Sequence, residues 1–254
     1  MTNNQYNEYL NNGNGTDFWV NPDGIITYQL DKAIPIEEQK RYFTSSHAAR
    51  RLRPSLSIEQ LNDIESLLYK KEMSEGWLRN NLTLLAATGQ IDAYRMIEDF
   101  LIVAPKRLKD WATIAEFDAK IALQAALSGT RIVNVITSGL GGRNGLMRFM
   151  FVAGSKGWTP FVSFQKDLAI NEFKFAITQH AGEIERISSG DDFIIASFLL
   201  PLNVNPTPIL LKAISICNDM GDFLDPENLF TTNVAPIRKQ DIPRLKLLKR
   251  NTKT

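Results

Sequence analysis

Between residues 58 and 128 the apolar side chains recur every three or four positions, which is the spacing of one face of an α-helix. Four consecutive segments share this pattern. Ser57 precedes the first segment and is a residue type that caps helix N-termini, and Gly89 follows the second as a natural stop. The pattern therefore predicts helices over 58–71, 75–87, 91–103 and 106–127.

The connections between these four segments are two to four residues long. Helices joined by such short connections pack as antiparallel neighbours. Two stacked helical hairpins of this kind resemble those of HEAT-type α-solenoids, over about 70 residues and without a diagnostic motif. A plain four-helix bundle fits the same spacing, so both architectures stay open for the N-terminal domain.

From residue 130 the pattern changes to short apolar runs separated by turn residues. From Leu146 onward the predicted order is β-α-β-β-α-β, which is the order of the ferredoxin-like sandwich. The first and third strands of that fold are inner strands and should be the most continuously apolar. Here they are 146–152 and 193–200, the two most apolar runs. A further run, 132–136, would pair with 146–152 as a hairpin, but that inner strand already has two neighbours. Either this run lies at an edge, or the sheet order differs from the ferredoxin-like one.

The predicted class is thus α+β, with less regular segments at both ends. Residues 1–16 are too polar to form a core and are expected to be disordered. The β-prone runs 18–20 and 25–28 flank turn residues, which predicts a small hairpin. The expected parts are an arm with this hairpin at 1–34, a helical hairpin domain at 35–128, a ferredoxin-like domain at 130–237 and a basic tail at 238–254.

Charge is balanced overall and unevenly distributed. The chain has 29 Lys+Arg, 28 Asp+Glu and 44% hydrophobic residues, which excludes collagen-like, histone-like and fully disordered classes. Residues 238–254 hold seven basic residues and one acidic residue, for a net charge of +6. Residues 36–56 hold five basic and two acidic residues, for +3. The basic segments are therefore the first candidates for partner contacts.

Few residues with catalytic or metal-binding chemistry are present. The single cysteine, Cys217, cannot form an internal disulfide or a cysteine-based zinc site and favours a reducing compartment. Only two histidines, His47 and His180, are available for acid–base work. No N-terminal signal pattern and no apolar run of the roughly 20 residues needed to span a membrane is found. We expect a cytoplasmic, non-catalytic protein without cofactor, metal or membrane span.

Two glycine-containing segments are candidates for anion sites. Residues 139–145 (GLGGRNG) lack the dinucleotide and P-loop spacings, and a hairpin turn is the better interpretation, with Arg143 as a weak anion or partner contact. Residues 154–158 (GSKGW) lack a phosphate-loop spacing and indicate a plain strand-to-helix connection.

The acidic stretch 219–227 spaces its carboxylates without the EF-hand pattern. Asp225 before Pro226 is typical of a helix cap with proline at the first helical position. A metal site here is therefore not expected.

The basic side chains remain as candidates for partner contact. In the tail, leucines interleave with the cations, so a short amphipathic helix is conceivable. The tail could be a solvated end, a nucleic-acid contact or a dock for an acidic protein, and it has no aromatic residues for base stacking. Near His47, three arginines could contact a partner or form salt bridges with the helices that follow. The candidate residues are Arg50, Arg51, Arg53, Arg143, Arg244, Lys246, Lys249 and Arg250.

The leading hypothesis is an interaction or adaptor protein that binds a protein partner through its two folded domains. The alternative is a nucleic-acid- or ribosome-associated protein that uses the basic tail. The folded regions are mildly acidic, which favours protein over nucleic acid. An enzyme that uses carboxylates or the 139–157 loops is the third hypothesis.

Overall fold

The computed structural model describes residues 18–20, 26–52, 54–128 and 134–251. The chain is an α+β protein, as predicted, and it forms two compact units that divide between residues 137 and 138. We call them the helical unit and the α/β unit. Among the residues just given, no helix is long and apolar enough to cross a membrane.

Within the described ranges the helical unit has five α-helices, and local signals mark some of their ends. Ser57 Oγ accepts a hydrogen bond from the Gln60 amide, and the Gln60 side chain accepts one from the Ser57 amide, which forms a capping box. Gly89 ends its helix in the left-handed conformation with φ of 69°. The helices are α1 (Ile36–Arg51), α2 (Ile58–Leu68), α3 (Glu75–Thr88), α4 (Ile91–Val103) and α5 (Lys106–Ser128).

A small sheet completes the helical unit. Strands β1 (Phe18–Val20) and β2 (Ile26–Gln29) pair in antiparallel fashion, which confirms the predicted hairpin pairing. Its turn residues lie outside the described residues. Strand β3 (Asn134–Ile136) pairs in parallel with β2, with Val135 opposite Tyr28. Of the positions left open for 132–136, the hairpin with 146–152 does not form. In the described part of the small sheet β3 lies at the edge beside β2, a strand more than 100 residues earlier in the chain.

Among its described residues, the α/β unit has one antiparallel sheet and three α-helices. Its inner strands, β5 and β7, pair along nearly their whole length, and β6 flanks β7. On the other edge of β5 lie the short β4, opposite residues 146–147, and β8. The elements are β4 (Gly142–Arg143), β5 (Leu146–Ser155), α6 (Ser163–Thr178), β6 (Glu183–Ser189), β7 (Phe193–Pro201), α7 (Pro206–Asp219), β8 (Leu224–Thr232) and α8 (Ile242–Asn251).

Asp225 and Pro226 lie inside strand β8, so the predicted helix cap at these residues is wrong. The register shifts between Ala153 and Ser155 of β5, and Pro226 falls in this irregular part of β8. Proline is tolerated at a bulge because no ladder hydrogen bond is required of its nitrogen there.

Alternate residues of β5 serve two faces of the sheet. Phe151 and Ala153 lie in the core that α6 and α7 cover, where Phe173 and Phe198 are also fully buried. Val152 points to the other face and packs with Ile195 of β7 and Ile242 of α8. Because both faces are covered, the strand sequence is apolar at successive positions rather than alternating.

Candidate interaction site

Arg50 is bound within the helical unit. Its Nη2 lies 2.7 Å from Asp118 Oδ1 on α5. The other carboxylate oxygen accepts from the Ser46 hydroxyl at 2.6 Å and from the Tyr42 hydroxyl at 3.0 Å. Burial, followed by the Asp118 charge, raises the pKa of Tyr42 well above its ordinary value. Three donors thus satisfy one buried carboxylate, and the cluster joins α1 to α5.

The neighbouring arginines differ in their surroundings. Arg51, at the end of α1, is exposed to solvent. Arg53 lies outside the described residues. The structure therefore places Arg50 in a structural cluster and leaves Arg51 accessible.

Two solvent-open depressions flank α1 and share Lys40 and Thr44. Their volumes are about 470 and about 530 Å³, and their lining residues all fall within 36–137. One is lined by Arg79, which pairs with Glu38 at 2.8 Å and with Glu75 at 2.9 Å. Its guanidinium also stacks over Trp111, with 4.6 Å from Cζ to the ring centroid. The Arg79 charge is thus neutralised by this protein's own carboxylates.

The glycine-rich segment forms a hairpin turn. Asn144 and Gly145 both have positive φ, 52° and 75°, which is the backbone of a two-residue type I′ turn. Arg143, beside the turn, pairs with Glu183 of β6 at 2.5 Å, and both side chains remain about half exposed. Arg143 is accessible, with a partner carboxylate already in place.

A second arginine on the sheet is absent from the sequence-based candidates. Arg148 binds both carboxylate oxygens of Glu185, at 2.6 and 2.7 Å, and donates to the Leu140 carbonyl. Ser197 donates to the same carboxylate. These hydrogen bonds, the Arg148 bonds first, hold the pKa of Glu185 below its ordinary value. One charged residue inside the run LMRFMFV is the sequence signal that indicates this polar patch.

The basic tail folds back as helix α8 onto the same side of the sheet. Ile242 is buried against Val152 and Ile195, and Leu245 packs at the edge of this cluster. Phe193 and Phe230 are partly buried and pack against the same cluster. The short amphipathic helix that the interleaved leucines indicate is therefore present, and Ile242 and Leu245 form its apolar contact with the sheet.

Lys246 fastens this helix to two loops. Its ammonium group forms an ion pair with Asp192 and lies 4.9 Å from the centroid of the Trp158 ring. Trp158 has φ of 56°, and its ring packs on Gly154, where a Cβ atom would come within 2.5 Å of it. Only glycine fits beneath the indole, so the predicted strand-to-helix connection 154–158 also serves as a platform for Lys246.

The outward side of α8 is exposed. Arg244 is exposed, and Leu247 and Leu248 expose 58% and 52% of their surface. Lys249 and Arg250 belong to the helix, and their side chains lie outside what the structure describes. Of the tail candidates with described side chains, Lys246 is therefore engaged and Arg244 is available.

The outer surface of α6 carries apolar residues that the sequence reasoning missed. We call Phe164, Leu168 and Phe175 the α6 stripe, because positions four and eleven apart fall on one helix face. Phe164 is 61% and Phe175 is 58% exposed, and Leu168 is partly buried against the core. The opposite face holds Ala169, Phe173 and Ile177, all fully buried. Two apolar registers within one helical segment are the signal that indicates this stripe.

The remaining acidic and cysteine candidates offer no assembled site. Among the described residues no three His, Cys, Asp or Glu side chains are grouped so as to hold a metal ion. Cys217 is buried, and burial, with the nearby Glu172 charge, raises the pKa of its thiol to about 12. Such a thiol is not ionised at neutral pH and is a poor nucleophile.

No protein-family model matches this chain, and no curated protein matches its sequence.

Proposed function

We propose that this chain is a non-catalytic interaction protein, an adaptor, that binds a protein partner through the α6 stripe. The observation that carries the proposal is the pair of half-exposed phenylalanines, Phe164 and Phe175, on one side of a helix whose other side is fully buried. Aromatic residues are enriched at the centre of protein interfaces, where each covers a large area at low cost in side-chain entropy.

The surroundings of the stripe favour a protein as the partner. Asp167 and Lys174 of the same helix are both exposed and carry opposite charges. Exposed charged residues beside an apolar centre are the usual composition of a protein–protein interface. An apolar face of a helix or a loop of the partner would bury both phenylalanine rings at once.

The architecture we propose supports such a role. Residues 138–237 fit a ferredoxin-like sandwich, since their antiparallel strand order is β8-β5-β7-β6 and α6 and α7 cover one face. Helices α2 to α5 fit either stacked HEAT-type hairpins or a four-helix bundle, with α1 as an additional helix that packs on α3 and α5. A cytoplasmic location agrees with the single, buried cysteine.

The test is size-exclusion chromatography of extracts from cells of the source organism, compared with the purified chain. The double variant Phe164→Asp, Phe175→Asp should run at the size of the purified chain on size-exclusion chromatography, whereas the wild-type chain runs in a larger complex. The control is Leu211→Asp, Met220→Asp, which alters two exposed apolar residues outside α6 and should leave the complex intact. Urea unfolding should place both variants within about 0.5 kcal/mol of the wild type, because the altered side chains are exposed.

Two outcomes would contradict the proposal. One is a wild-type chain that runs at the same size in extract and in purified form. The other is an α6 double variant that remains in the larger complex.

Nucleic acid is the second candidate partner, on the observation that Arg244 is exposed within a segment of net charge +6. Deleting the tail would also uncover Val152 and Ile195, so Arg244→Glu is the cleaner variant. If nucleic acid is the partner, fluorescence anisotropy with RNA and DNA should show binding that falls steeply with salt and is weakened by this charge reversal. No binding at low salt would remove this candidate.

A further inference from the structure

We propose that the outer face of α8, formed by Arg244, Leu247 and Leu248, is a docking surface for anionic lipid membranes. This site is separate from the α6 stripe and does not depend on the adaptor function. It also differs from a membrane span, since the helix would lie on the surface rather than cross the bilayer.

The first observation is that the residues of α8 that contact the rest of the unit lie on one side of the helix. Ile242 and Leu245 pack on the sheet, and Lys246 is held by Asp192 and Trp158. Positions 244, 247 and 248 fall on the opposite side of the helix by its 3.6-residue period. Leu247 and Leu248 are both more than half exposed, so most of their apolar surface does not pack on the sheet. The helix is thus fixed with an apolar pair turned away from the unit.

The second observation is the charge around that pair. Residues 238–254 carry a net charge of +6, and Arg244 stands on the same helix face as the two leucines. Anionic headgroups attract clustered Lys and Arg side chains, and the adjacent acyl region accepts leucine. An anionic membrane can therefore contact Arg244 through its headgroups and the two leucines through its acyl region.

The same features weigh against the other occupants. A nucleic acid would use the cations and leave the leucines in water, and residues 238–254 contain no aromatic side chain to stack on bases. The α6 stripe has rim charges of both signs, whereas the described outer face of α8 carries only the positive charge of Arg244. This one-sign character favours an anionic surface over a mixed-charge protein interface.

The experiment is vesicle flotation of the full chain. Vesicles of phosphatidylcholine alone are compared with vesicles of phosphatidylcholine and phosphatidylglycerol, at low and at high salt. Wild-type protein should float with the anionic vesicles only, and added salt should reduce binding because it screens the attraction. Arg244→Ser should weaken the apparent affinity about fivefold, as expected for one cation near an anionic surface.

The leucines provide the sharper variant. Leu247→Ser, Leu248→Ser should reduce binding at least as strongly as Arg244→Ser, with an unchanged urea midpoint because the inward residues are intact. The matched control is Leu211→Ser, Lys212→Ser, an exposed leucine and lysine on α7, which should bind like the wild type. The variant Phe164→Asp, Phe175→Asp should also bind like the wild type, and this separates the lipid site from the proposed protein site.

Three results would overturn the proposal. They are equal flotation with neutral and anionic vesicles, wild-type binding by the leucine variant, and absence of flotation at low salt. Binding to an RNA oligonucleotide that needs Arg244 but is indifferent to the leucines, in a chain that does not float, would assign this face to nucleic acid instead.

Discussion

The two faces of the sheet in the α/β unit are covered by different means. One face is covered by α6 and α7, and its core includes fully buried aromatic rings such as Phe151 and Phe173. In the part of the chain that the structure describes, α8 covers the other face, with Val152, Ile195 and Ile242 as its buried centre and the Arg148–Glu185 pair beside it. The first face therefore has the larger buried core, and we expect α8 to detach from the second face at a lower cost in free energy.

The largest expected effect comes from the face under α6. Phe173→Ala should lower the free energy of unfolding by about 3–5 kcal/mol, because the ring is fully buried and lies 4.6 Å from the Phe151 ring between centroids. Phe175→Ala, two residues along, should change it by about 0.5 kcal/mol or less because that ring is exposed. Urea unfolding of both variants checks this, and equal losses would erase the difference between the sides of α6.

An intermediate effect is expected on the second face. Ile242→Ala should lower the free energy of unfolding by about 2 kcal/mol. This is at the low end for a buried isoleucine, because the buried cluster around Ile242 is small. The loss should fall on α8 first, since this short helix can open before the sheet unfolds. Hydrogen exchange should show faster exchange of the α8 amides with unchanged protection in β5 and β7. A uniform loss of protection across the unit would show that α8 is part of the main cooperative core.

A smaller effect is expected from the fastening at Lys246. A double-mutant cycle with Lys246→Met and Asp192→Asn should give a coupling energy of about 1 kcal/mol, because both side chains are only partly exposed. The coupling should decrease as salt is added. No measurable coupling would assign the docking of α8 to its apolar residues alone.

The smallest effect should come from the polar part of the second face, and it depends on pH. The pKa of Glu185 is lowered in the folded chain, so its stabilisation is complete above the unfolded pKa and is lost as pH falls through the folded pKa. The contribution should be about 1 kcal/mol or less. Urea unfolding of the wild type and of Glu185→Gln, at neutral pH and in acid, should show the two stabilities converging in acid. A constant difference at all pH values would contradict this role.

The helical boundaries could be predicted because their signals are local. Ser57, Gly89 and the three- to four-residue apolar spacing act within a few positions, and the observed helices α2 to α5 start at the predicted residues. The inner position of β5 and β7 also followed from the sequence, because strands covered on both faces are continuously apolar.

The failures concern contacts between distant residues. The pairing of β3 with β2 and the salt bridge of Arg50 with Asp118 join positions far apart in sequence, where no local pattern acts. Asp225 and Pro226 carry a helix-start signal that the bulged pairing of β8 with β5 overrides. The direction in which each face of α8 points was likewise set by the sheet, so Arg244 and Lys246 looked alike in the sequence.

The most direct test of the proposed interaction is site-specific photocrosslinking from α6 in living cells. A benzophenone amino acid placed at Phe164 or Phe175 should give the same discrete crosslinked product from both positions. The same group at Leu211, which is exposed on α7 and lies outside the stripe and its rim, should not give that product. Products that are absent from positions 164 and 175, or equally strong from position 211, would contradict a protein partner on the α6 stripe.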